Sequence, residues 1–250
     1  MFKMLPPTFL AVPVAWLAIL LLIGLNSISP NLRAIGLSPA NSWVVLVIQS
    51  VMALFFLTPA WKLLWKLVPP LNRWFYPDLS GEWNVELESN FSRIEAILGA
   101  AVDPKITLDM RLCPPADLPP LQTSQLRAKI TQGWVGMDME VWNPSGGGPI
   151  KQSETIVVEP FRGRQGKHGL AYIFEQHNET DTPSDANCFK GAAWIVRDRE
   201  DPNVLHGRMW NDRMWRRGMN TAANVRLTRV TPWRSFWERA NNIGGSSEAE

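Results

Sequence analysis

The first 77 residues contain no aspartate or glutamate, although the chain of 250 residues has 23 acidic residues. Two apolar runs fill most of this acid-free segment, because residues 9–25 and 43–61 contain no charged side chain. A helix rises about 1.5 Å per residue, so runs of this length reach across the roughly 30 Å hydrocarbon core of a membrane. The pattern predicts two transmembrane helices, at about residues 9–25 and 43–64, within an anchor that covers residues 1–76.

The residues that flank the two runs predict their orientation. Lys62, Lys66 and Arg73 follow the second run, whereas the connection between the runs contains only Arg33. The positive-inside rule then places the N terminus and everything after the second run in the cytoplasm. Several tryptophans stand near the ends of the runs, as in the aromatic belts of membrane proteins: Trp16, Trp43, Trp61, Trp65 and Trp74.

Two alternatives remain open for these runs. They could be buried helices of a soluble protein, although neither run has the polar face of an amphipathic helix. The first run could also be a cleaved signal peptide, with Lys3 in its charged start and the small residues Ser27 and Ser29 near its end. Removal of the first run would leave the orientation of the second run unchanged.

Residues 77–231 predict one soluble domain that is rich in β-strands. Apolar and polar side chains alternate over residues 79–88, which is the pattern of a half-buried strand. Similar alternation recurs at residues 106–112, 126–132, 137–141, 155–158, 170–174, 191–195, 205–213 and 223–230. Eight or nine short strands without long helices predict a β-sandwich or a closed barrel. We expect a mostly antiparallel, minimal β-barrel of about eight strands that is similar to lipocalins.

Two segments depart from the strand pattern. Phe91, Ile94, Leu98 and Ala101 have helical spacing, which predicts either a helix that caps an open barrel end or an irregular loop. Residues 232–250 combine a short amphipathic piece with a tail that we expect to be disordered. The amphipathic piece either touches the membrane surface or packs on the rim of the barrel.

Charge and composition exclude several functions for the soluble domain. Five of the 25 basic residues lie in the anchor, which leaves 20 against 23 acidic residues. This balance disfavours DNA or long RNA as a partner, because both bind through many phosphate contacts to basic surfaces. The two cysteines and three histidines have no metal-binding spacing, and no motif of a nucleophilic, nucleotide-hydrolysing or zinc-dependent enzyme is present. We therefore expect a protein that is not an enzyme and has no metal or cofactor.

Polar side chains on predicted inward faces are the candidate binding residues. The alternating series Leu205-x-Gly207-x-Met209-x-Asn211-x-Arg213 becomes polar toward its end, and Ile130-x-Gln132-x-Trp134 repeats this trend. A buried guanidinium is costly unless it is paired, so Arg213 should meet a carboxylate, backbone carbonyls or an anionic ligand. A structural ion pair or a position in water is the alternative.

A second cluster points to a phosphorylated ligand. Four arginines lie within ten residues, close in sequence to two tryptophans: Arg208, Arg213, Arg216 and Arg217 with Trp210 and Trp215. Guanidinium groups bind phosphates through paired hydrogen bonds, and nucleobases stack on aromatic faces. Together with Trp134 and Tyr172, this cluster favours a small phosphorylated nucleotide. A turn with solvated arginines has the same pattern.

Several motifs follow the two apolar runs in order: Tyr76-Pro77-Asp78-Leu79-Ser80-Gly81-Glu82-Trp83, Ile130-x-Gln132-x-Trp134, Leu170-x-Tyr172-x-Phe174, Leu205-x-Gly207-x-Met209-Trp210-Asn211-x-Arg213 and Asn220-Thr221-Ala222-Ala223-Asn224-Val225-x-Leu227-x-Arg229. In this order they resemble a known family, the two-transmembrane β-barrel effectors of bacterial cyclic-oligonucleotide-based anti-phage signalling (CBASS). The resemblance covers nearly the whole chain. The sequence departs from the family at Met209, where an aromatic residue is usual, at Ala223, where glycine is common, and in a longer stretch at residues 91–123.

The resemblance implies a non-enzymatic effector in the bacterial inner membrane. Its cytosolic barrel would bind a cyclic dinucleotide made by a partner nucleotidyltransferase. Binding would control assembly of the membrane helices into a homo-oligomer and disrupt the membrane, which causes growth arrest or cell death. The implied ligand site contains Gln132, Trp134, Tyr172, Asn211, Arg213 and Thr221. The alternative is a membrane-anchored, lipocalin-like barrel that binds an apolar ligand or a protein partner, with an inward face that stays apolar to the mouth.

Overall fold

A computed structural model describes residues 7–36, 42–134, 136–146, 150–163, 166–178 and 186–231. Contacts between Cα atoms divide these residues into two compact units. The helical unit contains the described residues up to Asp78 together with the turn Gly133–Gly136. The barrel unit contains Leu79–Gln132 and the described residues that follow Met137. The amphipathic piece and tail predicted at residues 232–250 lie outside the described residues.

The helical unit begins with one long apolar helix, α1 (Pro7–Ala34). Its apolar segment is long enough to cross a membrane and none of that segment is buried within the protein. The second predicted helix, at residues 43–64, is wrong as a continuous element. It consists of α2 (Ser42–Leu57) and α3 (Ala60–Leu67), which are bent by 81° relative to each other. α1 is therefore one candidate membrane span, and α2 with α3 is a second one only if the bent pair counts as a single span.

The bend has a local cause in the sequence. Pro59 precedes α3, and a proline inside a helix removes a backbone donor and clashes with the preceding turn. The Thr58 hydroxyl donates to the Leu54 carbonyl and accepts a hydrogen bond from the Ala60 amide at 3.2 Å. These bonds satisfy backbone groups at the break, so α2 ends without exposing them all to solvent or lipid.

Short elements follow α3 and hold the linker in one shape. After α4 (Leu71–Trp74), the Trp65 indole donates to the Tyr76 carbonyl at 2.8 Å. The Asn72 amide donates to the Trp65 and Pro69 carbonyls at 3.3 Å each, and its oxygen accepts from the Asp78 amide at 3.1 Å. These bonds link residues 65–78 through buried or half-buried polar groups, so this linker is structured.

Only some of the tryptophans in the predicted aromatic belt are exposed. Trp16, Trp43 and Trp74 are exposed, as a side chain at a membrane interface must be. Trp61 and Trp65 are buried instead, with only 1% and 2% of their surface exposed. Their burial results from an aromatic cluster in the helical unit, which the linear sequence does not show.

The barrel unit confirms the predicted fold class. Its eight strands are β1 (Gly81–Ser89), β2 (Gln122–Gln132), β3 (Met137–Trp142), β4 (Ile150–Arg162), β5 (His168–Asn178), β6 (Cys188–Arg197), β7 (Val204–Asn211) and β8 (Ala222–Arg229). Each strand pairs with the next in antiparallel fashion, and β8 pairs with β1 to close the barrel. Closure leaves no free strand edge, so every strand has hydrogen-bonding neighbours on both sides.

One predicted element is confirmed and another is wrong. The helical spacing after β1 gives α5 (Phe91–Val102), whose side chains are all exposed or half-buried. The predicted strand at residues 106–112 is not a strand, and its Ile106 and Leu112 side chains are exposed. An alternating segment becomes a strand only if it has a partner, and β1 is already paired with β2 and β8.

The interior of the barrel changes in polarity along its axis. We call the end where β1 begins the entry end, and the end where β1 finishes the polar end. Near the entry end lies a layer of fully buried apolar side chains: Trp83, Ile130, Leu170, Ile195, Leu205 and Leu227. At the polar end the buried inward side chains include Ser153, Gln176, Asn178 and Asn211. A folded barrel tolerates these polar groups because buried polar atoms can bond to one another.

Candidate functional site

Three of the six predicted site residues come together at the polar end. Asn211 ends β7, Thr221 immediately precedes β8, and Arg213 lies in the turn between these strands. The prediction that β7 becomes polar toward its end is confirmed, because Leu205 is fully buried among apolar groups and Asn211 is buried at the polar end. Chain connectivity and strand pairing therefore place a buried amide, a buried hydroxyl and a guanidinium near one another.

Asn211 organises this group through its carboxamide. Its Nδ2 donates to the Thr221 hydroxyl at 2.7 Å, and its Oδ1 accepts from the Thr221 amide at 3.1 Å and from the Arg213 amide at 3.2 Å. A buried backbone donor without an acceptor costs about 1–3 kcal/mol. Asn211 thus holds both ends of the β7–β8 turn in a fixed relation to the barrel.

Arg213 lies among aromatic rings at the same end. Its guanidinium carbon is 5.3 Å from the centre of the Phe91 ring and 5.9 Å from that of Phe189. Contacts of this kind favour a cation over an aromatic face and restrict where the guanidinium can point. Phe91 begins α5, so this helix contributes an aromatic ring to the polar end. The positive charge is therefore held at a rim that also offers flat ring surfaces.

Tyr172 lies deeper, on the inward face of β5. It lines a cavity in the half of the barrel nearer the polar end, together with Phe174, Gln176, Ser153 and Met209. Burial raises the pKa of the Tyr172 phenol well above its usual range, so the phenol stays protonated. Its hydroxyl is therefore available as a neutral hydrogen-bond donor and acceptor facing the interior.

The cavity beside Tyr172 is small. Its volume is about 30 Å³, whereas pockets for small organic ligands typically have roughly 300–1,000 Å³. It has room for one or two water molecules, and neither a lipid nor a dinucleotide fits in it. A ligand of either size must bind at the mouth or displace interior side chains.

Gln132 lies at the entry end, away from the other polar residues. It ends β2, an even-numbered strand, whereas Asn211 ends β7, an odd-numbered strand, so the two lie at opposite ends of the barrel. The Gln132 side-chain oxygen accepts from the Leu79 amide at 2.7 Å, and the Trp83 indole donates to the Leu79 carbonyl at 3.1 Å. Gln132 thereby satisfies a buried backbone donor just before β1.

Trp134 belongs to the helical unit, although it is in the turn between β2 and β3. Its ring centre is 5.1 Å from Phe55 and 5.0 Å from Phe56 in α2, and 6.2 Å from Trp61 and 5.9 Å from Trp65 in α3. The Trp134 Nε1–H is buried without an acceptor among the described residues. The trend inferred from Ile130, Gln132 and Trp134 therefore does not lead to the polar end.

The arginine cluster is divided by the fold. Arg208 points outward from β7 into a groove with Trp194 and His206 on the outer surface of the barrel. Trp215, Arg216 and Arg217 form a 3₁₀ turn whose side chains line a different groove, of about 520 Å³, with Lys190 and Asp212. Only Arg213 of the four arginines contacts the rings near Asn211. The four arginines, which are close in the sequence, therefore do not form one cationic cluster in the fold.

Sequence reasoning missed four inward residues of the polar end. Ser153, Gln176 and Asn178 are buried, and the Gln176 amide donates to the Asn178 oxygen at 2.8 Å. Phe189 is buried opposite Gln176 and contacts Arg213. A signal for two of them was present, because the alternation from Leu170 through Tyr172 and Phe174 continues to Gln176 and Asn178.

No protein-family model matches the sequence. The chain is 25% identical over 171 residues to "CD-NTase-associated protein 15" of Escherichia albertii, an alignment that covers 67% of this chain and 71% of the relative. The chain is a homologue of that protein, and the resemblance indicated by the motifs is thereby confirmed. The closed eight-stranded barrel after an apolar N-terminal helix agrees with this relationship.

Proposed function

We propose that this homologue of a CD-NTase-associated protein is a non-enzymatic anti-phage effector that binds a cyclic dinucleotide at the polar end of its barrel. Binding controls assembly of the apolar helices into a homo-oligomer in the bacterial inner membrane. The assembled helices disrupt that membrane, and the infected cell stops growing or dies. The observation that carries the proposal is the grouping of Asn211, Thr221 and Arg213, with aromatic rings, at one end of the barrel.

The chemistry of the polar end suits a ligand that carries phosphates and flat bases. The Arg213 guanidinium can donate two hydrogen bonds to one phosphate. Phe91 and Phe189 offer faces on which a base can stack, and such contacts contribute about 1–3 kcal/mol per base. Gln176, Asn178 and Asn211 provide carboxamides that can read the polar edge of a base. An apolar ligand would offer no acceptor to the buried Asn178 Nδ2, which has no partner among the described residues.

The small interior requires the ligand to enter from the polar end. A dinucleotide cannot occupy a cavity of about 30 Å³, so part of it stays in the mouth and the rest moves interior side chains aside. Tyr172 lies below the mouth and becomes a contact only after that movement. Gln132 and Trp134 are excluded from the proposed contact set, because β2 ends at the entry end.

The helical unit provides the proposed output. α1 has no charged residue in its candidate spanning segment, Val14–Asn31, and α2, with 16 residues, covers about 24 Å at 1.5 Å per residue. Because the hydrocarbon core is roughly 30 Å thick, α2 crosses with local thinning, and α3 lies along the surface with Lys62 and Lys66 toward the cytoplasm. The N terminus and the barrel are then both cytoplasmic.

Trp134 provides a proposed route from ligand to helices. The turn Gly133–Gly136 is continuous with β2 and β3, yet its tryptophan packs among the rings of α2 and α3. A ligand shifts an assembly equilibrium only through different affinities for the two states. We propose that occupation of the barrel changes the position of this turn and thereby the packing of α2 with α3.

Titration calorimetry of the full chain in detergent tests the ligand proposal. A panel of cyclic dinucleotides is compared with the corresponding linear dinucleotides, and at least one cyclic compound should bind. Arg213→Ala should weaken that binding by about 10–100-fold, because hydrogen bonds to charged groups contribute about 1.5–3 kcal/mol. Arg216→Ala, which removes an exposed arginine from the neighbouring 3₁₀ turn, is the matched control and should bind normally. Absence of binding by every compound, with a folded barrel in the circular dichroism spectrum, would reject the proposal.

A growth assay tests the output separately. Cells that make the full chain together with a cyclic-dinucleotide-producing nucleotidyltransferase should stop growing. Cells that make residues 77–250 with the same enzyme should grow normally, because the apolar helices are missing. If calorimetry has shown that the chain binds the nucleotide, normal growth of cells that make the full chain would contradict membrane disruption. The ligand proposal would remain intact.

A further inference from the structure

Three side chains with metal-binding atoms meet on the outer surface of the barrel. Glu175 and His177 share the outward face of β5, and Cys188 begins the neighbouring strand β6, directly opposite His177. Their potential ligand atoms all lie within 4.8 Å of one another. Sequence spacing did not reveal this group, because the connection between β5 and β6 separates Cys188 from the other two residues.

The distances suit a transition metal after small side-chain movements. Zinc binds sulfur at about 2.3 Å and nitrogen or oxygen at about 2.0 Å, so tetrahedral ligands lie roughly 3.3–3.8 Å apart. The Cys188 sulfur and a Glu175 oxygen are already 3.2 Å apart. His177 and Cys188 are exposed and Glu175 is half-buried, so their side chains can adjust by rotation without disturbing the core.

The charges around the group are mixed. Lys190 and Asp212 are the other charged groups that act on Cys188, and they have opposite signs. Asp212 is held beside β6 by a 2.7 Å hydrogen bond from the Lys190 amide. Because metal ligands bind in their deprotonated forms, Glu175 and Cys188 would contribute two negative charges to a divalent ion.

We propose that Glu175, His177 and Cys188 bind a divalent transition metal such as Zn²⁺, with a fourth coordination position open to solvent. A thiolate and an imidazole select zinc or a similar ion over magnesium and calcium, which prefer oxygen ligands. Three protein ligands leave one position for water or an anion. Glu175 and Cys188 line the same groove as Trp215, Arg216 and Arg217.

The proposal is independent of nucleotide binding. The three residues are on the outer surface, whereas Asn211 and Thr221 are buried, so either site can be lost without the other. The metal would tie the end of β5 to the beginning of β6 on the outside of the barrel. We therefore expect Zn²⁺ to raise the thermal unfolding temperature of the protein, since a ligand that binds only the folded state stabilises it.

Cobalt titration of the full chain tests the site. Tag-free protein in detergent, reduced with a phosphine and freed of metal, should bind one Co²⁺ and develop a thiolate-to-cobalt charge-transfer band that Zn²⁺ abolishes. Cys188→Ser should lose this band, and Cys113→Ser, which changes the other cysteine, should keep it. His177→Ala should weaken binding at least about tenfold, a loss found even for groups that only support a metal ligand. His206→Ala, at another exposed histidine, should bind normally.

Two results would overturn the metal site. One is no cobalt spectrum for the wild-type chain when circular dichroism shows a folded barrel. The other is a charge-transfer band that persists in Cys188→Ser or is unaffected by His177→Ala. Because His177 and Cys188 are exposed, their substitution is not expected to unfold the chain, and circular dichroism of each variant checks this.

Discussion

Gln132 and Asn211 are both buried carboxamides at the ends of strands, but they do different things at opposite ends of the barrel. Gln132 accepts one hydrogen bond from the Leu79 amide and lies beside the fully buried apolar layer. Asn211 bonds to Thr221 and the Arg213 amide, next to a guanidinium and aromatic rings. The comparison shows that a buried amide is a structural group where its surroundings are apolar and a candidate ligand group where they are polar and charged.

The largest effect is expected at the turn that follows Gln132. Trp134→Ala should lower the free energy of opening of the α2–α3 region by about 3–5 kcal/mol, because a large ring is removed from a cluster of four others. Segment-resolved hydrogen exchange of the full chain in detergent would show faster exchange over residues 55–76. Nucleotide affinity should change less than about threefold.

Trp215→Ala is the control for that prediction, because Trp215 is 62% exposed and exposed substitutions typically change stability by about 0.5 kcal/mol or less. If Trp134→Ala abolishes nucleotide binding while the exchange of residues 55–76 is unchanged, Trp134 is a ligand residue and the two ends are not separate in function.

Asn211→Ala should have the next largest effect and should combine two losses. The Thr221 and Arg213 amides lose their acceptor, which should destabilise the barrel by about 2–4 kcal/mol. Binding of a cyclic dinucleotide should also weaken by more than tenfold. Chemical denaturation and calorimetry measure the two effects. Asn224→Ala, at an exposed asparagine of β8 bonded to Glu88, should change neither quantity appreciably, and equal effects at both positions would contradict the assignment.

Gln132→Met tests the entry end with a side chain of similar length and no strong acceptor. The buried Leu79 amide loses its partner, so the barrel should be destabilised by about 1–3 kcal/mol. Nucleotide affinity should stay within about threefold of wild type. Gln125→Met, on the exposed face of the same strand, should leave both stability and affinity unchanged. A large loss of nucleotide affinity in Gln132→Met but not in Gln125→Met would show that Gln132 belongs to the ligand site.

The smallest effect is a pH dependence that comes from Tyr172. Because burial raises the pKa of its phenol, the folded state keeps a proton that the unfolded chain releases above about pH 10. The contribution of Tyr172 to the free energy of unfolding is therefore complete below that pH. Above that pH it falls by at most about 1.4 kcal/mol per pH unit. The free energy of unfolding of Tyr172→Phe, measured by denaturation, should fall less steeply above pH 10 than that of the wild-type chain. A loss of stability above pH 10 that is as steep in Tyr172→Phe as in the wild-type chain would contradict the effect at Tyr172.

The sequence predicted the inward residues well but not the end of the barrel at which they lie. A period of two shows that Gln132 and Asn211 share an inward face with their apolar neighbours, because adjacent side chains point to opposite faces. The same period contains no information about strand direction. Direction follows from the up-and-down order of eight strands, in which even-numbered and odd-numbered strands finish at opposite ends.

Two other errors have different causes. The break before α3 was readable, because Pro59 lies inside the second apolar run and a proline interrupts a helix. The error at residues 106–112 could not be recognised from the sequence, because the alternation there is as regular as that of the true strands. Only the closed pairing of β1 with β2 and β8 shows that the barrel has no place for it.

The sequence by itself determined an acid-free apolar first helix, the two-residue period of the barrel strands and the inward position of Tyr172, because these depend on neighbouring residues and on their transfer from water. Only the tertiary structure decided that Trp134 packs with Phe55 and Trp65 in the helical unit. It also decided that Asn211 meets Thr221, and that Cys188 meets Glu175. Such contacts depend on strand register and closure, which bring together side chains that no local pattern connects.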